Sequence, residues 1–212
     1  MKKSAIVPIL TARFEKGIGV GHAALKQPSR MTVEEFLVWD GGADTRYELV
    51  GGDVTAMSPT GEAHGTIVTN LAAELRSRLQ PPCRAVTEAG VRLAERDDTY
   101  YQADLLVTCS PAVPKATFPA NPTVIIEVLS PSTESYDRGT KVPNYRAQPS
   151  IREIIMVSSS DRKVEVWHRT PDGWAVADVV GSDAVLHPAS IGIEIPLSAI
   201  YDGVAFETEK TG

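Results

Sequence analysis

Apolar residues Ile67, Val68, Leu71, Leu75 and Leu79 recur at three- and four-residue steps, which predicts one long amphipathic helix over about 64–79. Pro81-Pro82 stops it, because proline removes a backbone donor and clashes with the preceding turn. Downstream, short apolar runs predict strands over about 84–94, 104–109, 123–129, 152–158, 163–169 and 174–180. Upstream, residues 31–37 predict a short helix with Thr32 as N-cap and Glu35 three positions on. The runs 47–50 and 53–57 flank Gly51-Gly52 and predict a hairpin. The segment 136–147 is helix-like, of mixed polarity, with Pro143 at its centre. Ile191, Ile193 and Ile195 alternate as a strand, and a helical turn follows over 197–201. This order predicts an α/β (α+β) fold: a mixed central sheet flanked by helices, with additional antiparallel strands. Residues 30–206 read as a single domain, with a flexible lead-in at 1–29 and a tail at 207–212. Gly17, Gly19 and Gly21 in the lead-in misplace the third glycine of a dinucleotide-binding turn and follow no convincing strand.

Composition narrows the class. With 212 residues, 42% hydrophobic and 23% charged, the chain is of ordinary globular make-up, which excludes a collagen, a disordered chain or a disulfide scaffold. Lys plus Arg number 21 against 27 Asp plus Glu, a balance of −6 that disfavours a constitutive nucleic-acid coat. It leaves room for an enzyme that meets phosphate at one small metal-filled site. Cys83 and Cys109 form neither CxxC nor a zinc spacing. Two free thiols in a reduced, cytoplasmic protein are expected, with a single disulfide as the alternative. No apolar run reaches membrane-span length, and the run from Ala5 to Leu10 is too short and too broken by Pro8 for a signal peptide.

Candidate chemistry lies where acids sit among apolar residues. Glu127 interrupts the nearly continuous apolar run 124–129, a pattern suited to a strand covered on both faces. A buried carboxylate needs a cation, a donor or a proton. Asp104 opens a second apolar run, 105–107, and the two strands can lie side by side. Two converging carboxylates suit a hard cation, Mg2+ or Mn2+. The ordinary alternatives are a turn residue at the strand start for Asp104 and an arginine partner for Glu127. Lys141 follows closely and could stabilise negative charge on phosphorus; alone, it reads as a solvated side chain.

The stretches 47–52, 57–59 with His64, 104–107, 126–133, 136–141 with Tyr145 and Arg146, 149–153 and 164–167 together resemble a bacterial family of putative restriction endonucleases. That family belongs to the PD-(D/E)XK nuclease superfamily, and the resemblance runs from about Met31 to Tyr201. It implies a metal-dependent nuclease core, with Asp104, Glu127 and the Val128 backbone carbonyl as ligands of Mg2+ (or Mn2+). The superfamily pattern expects lysine two residues after the glutamate, where this chain has Leu129; the role points to Lys141 instead. Glu48 matches the early acidic position and is placed to orient the metal or its water; His64 is expected at the same cleft, the alternative being a polar residue at the helix start. The proline of the PD motif is absent before Asp104. Pro143 disfavours helical geometry at Val142, so Lys141 is expected at a helix start or a kink.

The resemblance implies an endonuclease that hydrolyses DNA. The acidic balance predicts weak DNA affinity in the absence of metal. A homodimer is expected, since nucleases that cut both strands often pair and the late strands offer an interface. The rival reading is a catalytically inactive nuclease fold kept as a DNA-binding or protein-interaction module. Other hydrolases find no support, since GxSxG, HExxH and a P-loop lysine are all absent. Arg138 and Arg146 are candidate phosphate-binding residues, the alternative being a mixed solvated surface with Glu134, Asp137 and Glu153. Trp167 and Trp174 are expected to pack rather than to stack on bases.

Overall fold

A computed structural model describes residues 30–42 and 45–206. The lead-in at 1–29, with its glycine run, and the tail at 207–212 lie outside the described residues. The elements run α1 (Val33–Val38), β1 (Tyr47–Val50), β2 (Asp53–Ala56), α2 (Glu62–Arg78), β3 (Arg84–Arg92), β4 (Tyr100–Thr108) and β5 (Pro122–Leu129). Then come α3 (Glu134–Tyr136), a π-helical turn (Asp137–Lys141), α4 (Val142–Ala147), β6 (Glu153–Ser158), β7 (Lys163–Thr170) and β8 (Gly173–Val180). Two short strands, β9 (Val185–Leu186) and β10 (Ile195–Pro196), and α5 (Leu197–Ile200) close the order.

Seven strands follow the order β2-β1-β4-β5-β6-β7-β8, with β3 also paired to β4. All pairings are antiparallel except β5–β6, whose crossover runs through α3, the π turn and α4. The sheet is therefore mixed and helix-flanked, as the element order predicts. Ile67, Leu71 and Leu75 of α2 are fully buried against the β-branched side chains of β5 and β6. On the other cluster, Tyr145 of α4 packs with Tyr101, Ile125 and Ile154. Gly51 and Gly52 take φ of 59° and 88°, the left-handed pair a tight hairpin turn requires.

One arrangement sets up the site. β3 lies along β4 from Arg84↔Thr108 to Arg92↔Tyr100. Elsewhere β4 pairs with β1 at Leu49↔Tyr100 and with β5 over Leu105 to Thr108. Between those two contacts the sheet forks. There the N–H groups of Gln102 and Asp104 donate to carboxylates of Glu48 and Glu127, at 2.9 and 3.4 Å.

Several expectations are corrected. β4 begins at Tyr100, so Asp104 stands inside a strand rather than opening one. Of the alternating isoleucines only Ile195 is in a strand; Ile191 donates to the Pro188 carbonyl in a turn, and Ile191 and Ile193 pack on the core from loops. Pro143 does not push Val142 out of helical geometry: Lys141 and Val142 both keep right-handed helical angles, while Lys141 caps α4 at the helix start expected of it, with the proline in the first turn. The wide π turn, in which Val142 N–H donates to the Asp137 carbonyl five residues back, suspends the four-residue ladder just where a proline has no N–H to contribute. Cys83 and Cys109 are joined by a disulfide, not free. The β3–β4 register, which pairs Arg84 with Thr108, brings the cysteines on either side of that pair face to face. Among the described residues no helix is long and apolar enough to cross a membrane.

Candidate active site

The fork opens into a cleft of about 310 Å3 that Glu48, His64, Asp104, Glu127, Asp137 and Lys141 all line. β1 supplies Glu48, α2 His64, β4 Asp104, β5 Glu127, and the π turn Asp137 and Lys141. Residues spread over 94 positions of sequence are thus gathered by strand register and by the β5–β6 crossover.

Asp104 Oδ2 accepts the Val128 N–H at 2.7 Å and lies 3.1 Å from His64 Nε2. Glu127 is buried; its Oε1 accepts from Tyr145 O–H at 2.6 Å, and its Oε2 from the Asp104 N–H. Lys141 is equally buried, with Nζ 2.9 Å from Glu48 Oε1, 3.4 Å from Glu127 Oε1 and 3.5 Å from Asp137 Oδ1. Glu48 also accepts from Tyr136 O–H at 3.1 Å.

These surroundings move the ionisations. Burial pushes the Glu127 carboxyl well above the ordinary carboxylate range; Lys141 pulls it back, while Asp104 and Asp137 push it further up. Burial also raises Asp137, against the pull of Lys141. For Lys141, burial alone would favour the neutral amine, but Glu127, Glu48 and Asp137 outweigh it and hold the ammonium above its ordinary value. Lys141 therefore stays charged and is no proton acceptor near neutrality.

A stability prediction follows from Glu127. In the window between its ordinary 4.5 and its raised value, the folded protein holds a proton that the unfolded chain has lost. Stability in EDTA then falls as pH rises through that window and recovers on acidification. Thermal melts from about pH 5.5 to about pH 8 should show this slope in the wild type and a flatter one in Glu127→Gln. Equal slopes would remove the assignment.

The donor set suits a hard divalent cation. Asp104 and Glu127 offer carboxylate oxygens from neighbouring strands, and the charge of Glu127 is under-compensated in its buried position. Among the described residues no group of three or more His, Cys, Asp or Glu side chains forms a ready-made cage. Mg2+ does not need one, since it is commonly held by one or two carboxylates and keeps several waters.

The structure does not bring every candidate to the cleft. Arg138 donates to Glu134 and Glu165, both at 2.7 Å, and the Arg146 guanidinium lies 5.1 Å over the Trp167 ring. Neither lines the cleft, where Lys141 is, among the described residues, the only lysine or arginine beside four carboxylates. Trp167 and Trp174 pack against the second core cluster. The sequence alone predicts no role in the site for Asp137, Tyr136 or Tyr145. The available signal was spacing: Asp137, Lys141 and Tyr145 recur every four residues and so share a helical face.

Residues 33–198 match the family model described as "Putative restriction endonuclease", Uma2. An uncharacterized protein of Synechocystis sp. is 30% identical over 190 residues, spanning 88% of this chain and 100% of that protein. A second uncharacterized Synechocystis protein is 24% identical over 161 residues, 73% of this chain and 90% of its own length. A crystal structure from Anabaena variabilis, described as a putative nuclease belonging to DUF820, superposes with a TM-score of 0.67 at 16% identity. The match covers 81% of this chain and 97% of that one, and it shows a shared fold.

Proposed function

The chain belongs to the Uma2 family of putative restriction endonucleases, and from that premise we propose that it is a metal-dependent endonuclease hydrolysing phosphodiester bonds in DNA. One observation carries the reading: two acids from adjacent strands and a buried, charged lysine meet in a single cleft.

Asp104 and Glu127 hold a Mg2+ or Mn2+ ion, with the Val128 carbonyl as a further ligand. When bound, the ion neutralises phosphate charge and acidifies water. The remaining work falls to this chain's own groups. Val128 N–H and His64 fix the Asp104 carboxylate, while Tyr145 O–H fixes that of Glu127. The Lys141 ammonium, held by Glu48, faces the cleft as a fixed positive charge where negative charge builds on the attacking oxygen and the phosphoryl group. It stabilises charge and does not accept the proton. Ser58, Thr60, Ser130 and Ser132 also line the cleft and offer neutral hydroxyl donors for phosphate oxygens.

The test is cleavage of supercoiled plasmid and of single-stranded DNA with Mg2+ or Mn2+, against EDTA. Cleavage is expected only with the metal. No cleavage together with no Mn2+ binding by calorimetry would overturn the reading in favour of a non-catalytic module.

A further inference from the structure

The cleft holds more acid than a single cation site uses. Two of its four carboxylates, Glu48 and Asp137, are buried against Lys141 rather than directed at Asp104. Asp137 and Lys141 occupy the two ends of one π turn, so the backbone carries them into the cleft together. The Lys141 contact with Glu127, 3.4 Å, is longer than its contact with Glu48, and the same Glu127 oxygen already takes the Tyr145 O–H at 2.6 Å. An ammonium and a divalent cation repel each other, so the two compete for Glu127.

We propose that Lys141 is the resident cationic partner of the Glu127 carboxyl whenever no divalent cation is bound, and that Asp137 is a positioning residue. Together with Glu48, Asp137 draws the ammonium off Glu127 as the cation arrives. The inference rests on Asp104 and Glu127 being the cation ligands. It explains why a carboxylate outside the ligand set is buried one turn before the lysine. It also gives the cleft a way to stay assembled without metal.

The test is Mn2+ binding by calorimetry, without DNA, on the wild type, Asp137→Asn, Lys141→Met and the double variant. Asp137→Asn is expected to weaken Mn2+ binding about tenfold, an effect typical of contacting groups. Lys141→Met is expected to bind Mn2+ more tightly than the wild type, although a cleft side chain is lost. In the Lys141→Met background, Asp137→Asn should have no further effect, because Asp137 acts through the lysine. A through-space charge effect, or direct ligation by Asp137, would persist in that background and overturn the proposal, as would unchanged or weaker binding by Lys141→Met. Circular dichroism checks folding, and Lys141→Gln replaces the methionine variant if that one is unfolded. Failure of the wild type to bind Mn2+ would sink the metal-site reading itself. Wild-type binding with additive variants would sink this inference alone.

Discussion

Asp104→Asn and Glu127→Gln should each reduce metal-dependent DNA cleavage by more than about a hundredfold, the scale of losing a preorganised electrostatic group. Both substitutions keep shape and most hydrogen bonds: an amide oxygen still accepts the Val128 N–H at position 104 and the Tyr145 O–H at position 127. Folding should therefore survive. Glu127→Gln should even equal or exceed the wild type in melting temperature in EDTA near neutral pH, because the wild type must take up a proton to bury this carboxyl and the amide needs none. An active site that sacrifices stability for chemistry has this signature. Cleavage that persists in both variants would show that the reaction, if any, happens elsewhere.

Lys141→Met should show the opposite balance. Removing the ammonium leaves Glu48, Glu127 and Asp137, each no more than 5% exposed, without their shared cation. Breaking a buried ion pair from one side costs about 3–5 kcal/mol. The urea midpoint in EDTA should fall accordingly, and the loss should shrink on acidification as the stranded carboxyls take up protons. A midpoint unchanged at neutral pH would mean that water reaches the three acids and that the site is far wetter than the structure shows.

The architecture was legible in the chain wherever periodicity was strong. α2 shows its buried stripe at Ile67, Leu71 and Leu75, and β5 its nearly continuous apolar run, and both stand close to where the pattern puts them. Asp104 and Glu127 were legible for a related reason: charge in an apolar strand is conspicuous. The start of β4 was not, because Tyr100, Tyr101 and Gln102 are aromatic or polar and break the apolar run. The π turn was hidden by Pro143, whose local rule argues against a helix; a wider turn meets that rule in a way no pairwise propensity encodes. The disulfide depends on strand register, a long-range property. The direction of the arginines was not legible, because proximity in sequence says nothing about it: Arg138 sits one turn before Lys141 yet reaches out to Glu165 on β7.

The fork in the sheet has a consequence for cooperativity. The β1–β2 hairpin is joined to β4 through a single residue pair, Leu49↔Tyr100, whereas β4, β5 and β6 share long ladders. Backbone bonds of Gly52 with Asp98 and Met31 add to its hold, and so do the contacts of Glu48 with the Gln102 N–H, Tyr136 and Lys141. The hairpin thus belongs to the part of the molecule that opens first in native-state fluctuations, while the strands bearing Asp104 and Glu127 belong to the part that opens last. Docking of the hairpin and completion of the charge cluster are then one equilibrium. Whatever fills the cleft also slows amide exchange in a segment that lies on the other side of the gap.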